Sequence, residues 1–145
     1  MSGYLPDSPA RVVRDLLIQL GLGTAASTWP VYVSSEPSSP DNCITVYDTS
    51  GLDHGREHIG GERQEHNGFQ IRIRSATPDV GWTRTSLIAT TLDTSTNLTT
   101  VVIGTHTYLV QSITRKNGPL AIGKEAITNR NLFTINAVIS VRHTS

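Results

Sequence analysis

Only one cysteine stands in this chain, Cys43, so no disulfide can form within it and a disulfide-stapled secreted scaffold is excluded. Its place in the run Cys43-Ile44-Thr45-Val46-Tyr47 reads as a small buried thiol, and no basic neighbour is at hand to make it a nucleophile. A reducing compartment fits. Charge of one sign is lacking too. Twelve basic and twelve acidic residues cancel, which removes the electrostatic drive to wrap nucleic acid or to sit on an anionic membrane. There is no apolar run long enough to span a bilayer, and residues 1–13 lack the basic start and apolar middle of a secretion signal, so the chain reads as soluble. A G-x-S-x-G elbow is missing, as are an ordered Ser, His and acid set and any repeat of fixed period.

What is present points to a mainly antiparallel α+β domain. At 145 residues the chain fits one domain with a core of its own. Ser8 followed by Pro9 reads as a helix cap and first turn, and Val12, Val13, Leu16, Leu17 and Leu20 recur at helical spacing until Gly21 and Gly23 end the run. Trp29 to Val33 and Ile44 to Tyr47 are short strand candidates, separated by the Pro-bearing polar stretch 34–42. Phe69, Ile71 and Ile73 alternate with Gln70, Arg72 and Arg74, a strand with one apolar and one polar face. Pro78-Asp79 opens a second helix, with Trp82, Leu87, Ile88, Ala89 and Leu92 as its apolar set.

The C-terminal third is dense in strand formers. Thr99 to Ile103 and Tyr108 to Arg115 read as strands, and Asn117-Gly118 predicts a tight reversal over Lys116 to Pro119, since that pair tolerates positive φ. Phe133, Ile135, Ala137, Ile139 and Val141 then share one parity of a closing strand. Two helices on a sheet of about five to six strands is the expected architecture.

Between these elements, residues 48–67 hold many charges and glycines and almost no apolar side chains, which predicts a long polar surface loop ordered against another copy or another protein. His54, His58 and His66 lie there with Asp53, Glu57, Glu62 and Glu65, but the spacing matches no zinc motif and no rigid element holds it. Gly118-x4-Gly123-Lys124 imitates a phosphate-binding loop and fails it, because Glu125 stands where Ser or Thr is needed and the intervening residues are strand material. Gln70, Arg72 and Arg74 line a strand face without the interleaved aromatics of a nucleic-acid module, so a polar sheet face or an intersubunit contact is the reading. Trp29, Trp82, Tyr4 and Tyr32 read as core or interface anchors. Residues 1–66 carry nine acids and four bases, and residues 94–145 carry one acid, Glu125, and five bases. Such a split suits head-to-tail contact between copies, or pairing within one subunit.

With these residues laid out, the chain resembles the tail terminator and minor capsid (head-tail joining) proteins of long-tailed bacteriophages. The matching pieces are Tyr4-Leu5-Pro6-Asp7 before the helix, Trp29-Pro30-Val31, Pro37 to Asn42, Ile44 to Asp48, Gly68 to Arg74, Ile113-Thr114-Arg115, Gly118-Pro119-Leu120, Ile122-Gly123 and Asn131 to Asn136. The resemblance implies a hexameric ring at the head-proximal end of the tail tube, assembled in the host bacterial cytoplasm. That ring stops tube polymerisation and gives the neck of the filled head a docking surface. Implied partners are the tail tube protein and a neck or head completion protein, with DNA only passing through the lumen and no membrane. No cofactor, metal or catalytic residue comes with it. Interface residues are expected at Gln70, Arg72 and Arg74 and, in the charged segment, at Arg56, Glu57, Glu62 and Arg63. A head completion or connector protein of the neck is the neighbouring reading. A metal-dependent hydrolase built on the His and Glu segment, and a DNA-binding module, are the readings from other classes.

Overall fold

The structure is a computed structural model and describes residues 5–56, 63–95 and 98–144. Helix α1 (Pro9–Gln19) starts where its sequence signals place it: Ser8 Oγ accepts from the Arg11 N–H at 3.3 Å, and Pro9 occupies the first turn. Ala10, Val12, Val13, Leu16 and Leu17 form its buried face, at about 1.5–3 kcal/mol for each fully buried Val or Leu. Gly21, at φ +76°, lets the chain turn out of the helix end.

Six strands form one sheet: β1 (Val31–Val33), β2 (Cys43–Arg56), β3 (Arg63–Ser75) and, after helix α2 (Pro78–Ser95), β4 (Thr99–Ile103), β5 (His106–Lys124) and β6 (Asn131–His143). Their spatial order is β1-β2-β3-β6-β5-β4, with β1 parallel to β2 and the other pairings antiparallel. The α+β class holds. Both helices pack on one face, where Ile44 and Val46 of β2, Phe69, Ile71 and Ile73 of β3, and Ile135 and Ile139 of β6 are fully buried. Asp48 Oδ1 accepts the free N–H of Ala10 at 2.8 Å, which fastens the positive end of α1 to strand β2.

Three local expectations differ from the structure. Residues 48–56 and 63–67, read as loop, continue β2 and β3 as a long antiparallel hairpin, and residues 57–62 lie outside the described residues. Backbone pairing across a hairpin asks nothing of side-chain hydrophobicity, so a polar ribbon is invisible to periodicity. Next, Asn117-Gly118 does not reverse the chain. Strand β5 runs on to Lys124, with register shifts against β6 between Arg115 and Asn117 and between Asn117 and Leu120. Gly118, at φ +96°, sits in that bulge so close to β6 that a Cβ would stand 2.6 Å from the Thr134 carbonyl oxygen. The reversal comes at 125–130 instead, closed by Glu125 N–H to Arg130 O at 2.8 Å. Finally, α2 buries Thr85, Ile88, Ala89 and Leu92, whereas Trp82 and Leu87 stay about half exposed at 46% and 47%. The packed stripe is the i, i+3, i+4, i+7 set from Thr85, and Leu87 falls on its opposite side.

Gly81 lets α2 approach the sheet: a Cβ there would collide with the Phe133 ring and stand 2.8 Å from Ser75 Cβ. Gly81→Ala gains about 1 kcal/mol of helix propensity and loses about 1–3 kcal/mol to overpacking. Urea denaturation should therefore show a lower midpoint at unchanged slope. A midpoint equal to or above that of the parent protein would mean that α2 moves off β6 without cost.

Candidate functional site

The polar face of the sheet is built from alternate residues of its central strands. Across β2, β3 and β6, Cys43, Arg74 and Leu132 stand in register, then Thr45, Arg72 and Thr134, then Tyr47, Gln70 and Asn136. Over this face lies the segment 34–42 that joins β1 to β2. Arg74 holds it there. The guanidinium, 2% exposed, donates from Nη1 to Pro37 O at 2.6 Å, from Nη2 to Pro40 O at 2.5 Å and from Nε to Asp41 O at 3.3 Å. Glu36 Oε1 stands 3.7 Å from Arg74 Nη1, and Glu36 Oε2 stands 3.2 Å from Arg72 Nε in an ion pair rather than an aligned hydrogen bond. A planar fork spreads its donors over three nitrogens and so reaches three separated carbonyls at once, where the donors of an ammonium all radiate from one nitrogen.

Next to this clamp, burial pushes the pKa of the Cys43 thiol up, with Arg74 opposing more weakly, so the sulfur is a packed thiol and not a nucleophile. Further along the same face, Gln70 Nε2 donates to Asn136 Oδ1 at 3.1 Å, and Asn136 Nδ2 donates to Asn117 Oδ1 at 2.7 Å. That ladder crosses β3, β6 and β5 and matches donor to acceptor without net charge.

The expected interface residues thus separate. Gln70, Arg72 and Arg74 share the polar face, where they pair with Asn136 and Glu36 of their own subunit; the buried Arg74 departs from the open face that alternation predicts. Arg56 and Arg63 are register partners at the far end of the β2–β3 hairpin, while Glu57 and Glu62 lie outside the described residues. The same limit applies to Tyr4 and His58. Gly118 to Lys124 lies along β5, not in a loop that opens a helix, so it forms no phosphate cradle. Among the described residues no group of three or more His, Cys, Asp and Glu side chains is placed to hold a metal ion, and no helix is long and apolar enough to cross a membrane.

A second polar cluster, missed in the sequence, ties the N-terminal segment to strand β5. The Asp7 N–H donates to Tyr108 Oη at 2.9 Å, Tyr108 O–H donates to Asp7 Oδ2 at 2.5 Å, and His106 Nδ1 lies 3.0 Å from the same oxygen. About one hundred residues separate these groups, a distance at which spacing carries no signal. The Tyr108 hydrogen bond holds the Asp7 carboxyl below its ordinary pKa of 3.8; partial burial opposes this and His106 adds to it.

A family model described as bacteriophage tail terminator protein matches residues 16–142. The chain belongs to the bacteriophage tail terminator family, and is therefore a structural component of the phage tail and not an enzyme. One solved structure is similar over 94% of this chain and 92% of its own, at 16% identity and a TM-score of 0.45, a level of likeness on which no argument rests. No curated protein sequence matches the chain.

Two outcomes are expected. Arg74→Met leaves three carbonyls without their donor and should cost about 3 kcal/mol by urea denaturation, with residues 34–42 opened to limited proteolysis and no recovery in Arg74→Lys. Full stability in Arg74→Lys would show that charge alone, without the fork, holds the segment. For Asp7, a depressed carboxylate pKa contributes stability above the unfolded value near 3.8, and that stability is lost as pH falls through the lower folded value. Denaturation midpoints between about pH 6 and pH 3 should therefore fall less steeply in Asp7→Asn than in the parent, and parallel curves would remove Asp7 from the acid transition.

Proposed function

We propose that six copies of this chain close into a ring at the head-proximal end of the tail tube, where the ring stops tube polymerisation and offers the docking surface for the neck of the filled head. The observation that carries this reading is the family match over residues 16–142. Its partners are the tail tube protein and a neck or head completion protein, and DNA passes through the lumen. Assembly takes place in the host bacterial cytoplasm.

The β2–β3 hairpin supports a contact at its far end. Strand β6 pairs with β3 from Asn67 onward, so among the described residues 63–66 are paired to β2 alone. A lone two-stranded ribbon is marginal in water, and Arg56 and Arg63 are backbone register partners within it. A neighbouring subunit or the tube that packs on this ribbon steadies it, with Arg56, Glu57, Glu62 and Arg63 as the contact residues of the reading. Gln70, Arg72 and Arg74 contribute through the 34–42 segment that the two arginines position.

Native mass measurement across a concentration series, with negative-stain imaging alone and on tail tubes, tests the reading. Closed sixfold rings, free or on tube ends, and tails of uncontrolled length from phage lacking the protein are expected. Binding to tailless heads with no binding to tubes would move the protein to the head side of the neck.

A further inference from the structure

The helix side of the domain carries a groove that the fold leaves open. Its volume is about 290 Å³, and it is lined by Trp29, Asp79, Val80, Thr83, Arg84 and Leu87. Val80 and Leu87, each 47% exposed, are the large aliphatic residues of its rim. They lie on the side of α2 turned away from the sheet, where packing within the subunit does not require them.

The base of the groove is held at a cost. Trp29 has φ +53°, a left-handed conformation that a bulky side chain adopts only when its surroundings impose it. The Arg84 guanidinium lies 5.1 Å above the indole centroid and donates to Leu22 O at 3.2 Å, which locks wall and base together. Strain kept in place under an open apolar groove is a mark of a surface built for contact.

On the other side of the sheet the same chain carries a knob. Ile127, 94% exposed, projects from the 125–130 turn beside Ser38 and Arg74. That turn is firmly tied: Asn129 N–H donates to Glu125 O at 3.1 Å, Thr128 Oγ donates to Glu125 Oε1 at 2.5 Å, and Arg130 Nε stands 3.0 Å from Asp41 Oδ1. A large β-branched side chain is thus presented to water on a fixed support.

We propose that the Ile127 tip of one copy seats in the Trp29–Leu87 groove of the next, and that this contact joins adjacent subunits. The inference rests on the ring reading above. A second copy is the occupant because one chain carries both the apolar knob and the apolar hole. Charge permits it: Glu125 and Arg130 flank the knob, and Asp79 and Arg84 line the groove, so each side offers both signs to the other. Since the two patches differ and lie on opposite sides of the sheet, the contact is heterologous and repeats from copy to copy, closing wherever the rotation permits.

The test is disulfide trapping with Ile127→Cys and Val80→Cys in one chain, carried out on the protein alone and on tail tubes, with each single variant and Leu98→Cys paired with Ile127→Cys as controls. The double variant should give a ladder of covalent oligomers that ends at the ring, while each single variant stops at a dimer. Ile127→Asp and Leu87→Asp should each weaken ring formation by about 30-fold or more, the loss of an interface hot spot. Both sites are exposed, so the subunit should keep its denaturation midpoint. Rings that form normally without the Ile127–Val80 crosslink would overturn this contact and leave the ring reading standing. Absence of rings both alone and on tubes would overturn the two together.

Discussion

A buried guanidinium has to be satisfied where it lies, and in this protein that demand organises one end of the molecule. The Arg74 guanidinium is buried away from water, so its donors must find acceptors on the polar face of β3. The carbonyls of Pro37, Pro40 and Asp41 meet the requirement, and the segment that carries them is drawn down over the sheet. Glu36 arrives with that segment and pairs with Arg72. Asp41 then takes hold of Arg130, so the turn that presents Ile127 is linked back to the same clamp. One cation thereby sets the placement of two loops far apart in sequence.

The topology explains why the ends of the domain are free for assembly. Both helices spend their apolar stripes on one face of the sheet, and the central strands β3 and β6 are covered there. The opposite face closes on itself through the neutral Gln70, Asn136 and Asn117 ladder and through the Arg74 clamp. Among the described residues, large apolar side chains stay exposed at the periphery, on the outer side of α2 and at the 125–130 turn. Peripheral surfaces that differ from one another are what a part joined to several neighbours requires.

Membership of the tail terminator family turns the lack of catalytic motifs in the sequence from a gap into a consistent feature. The residues that invite chemical readings have structural occupations. Cys43 is packed beneath the polar face, and the glycines and lysine of the false phosphate loop run along β5. Arg72 and Arg74, which nucleic acid could have engaged, are paired within the subunit.

Much of the fold was legible from local rules, because local rules caused it. The Ser8-Pro9 start of α1, the alternation from Phe69 to Arg74 and the single parity of Phe133 to Val141 each state, in the residues themselves, which face meets the core. The resemblance to phage tail parts was likewise carried by short ordered pieces of sequence, and the family comparison bears it out. The sites were less legible. Alternation placed Arg72 and Arg74 on the polar face correctly, yet whether that face was open depended on three carbonyls more than thirty residues away. Asn117-Gly118 carries the chemistry of a turn in any peptide, and became a bulge because β6 was long enough to hold β5 in register past it. The sequence by itself thus determined which residues are apolar, where helices start and which strands alternate, since these are near-neighbour preferences. The tertiary structure alone decided which polar groups are spent inside the subunit and which surfaces are left over, because both depend on contacts between residues that no local pattern brings together.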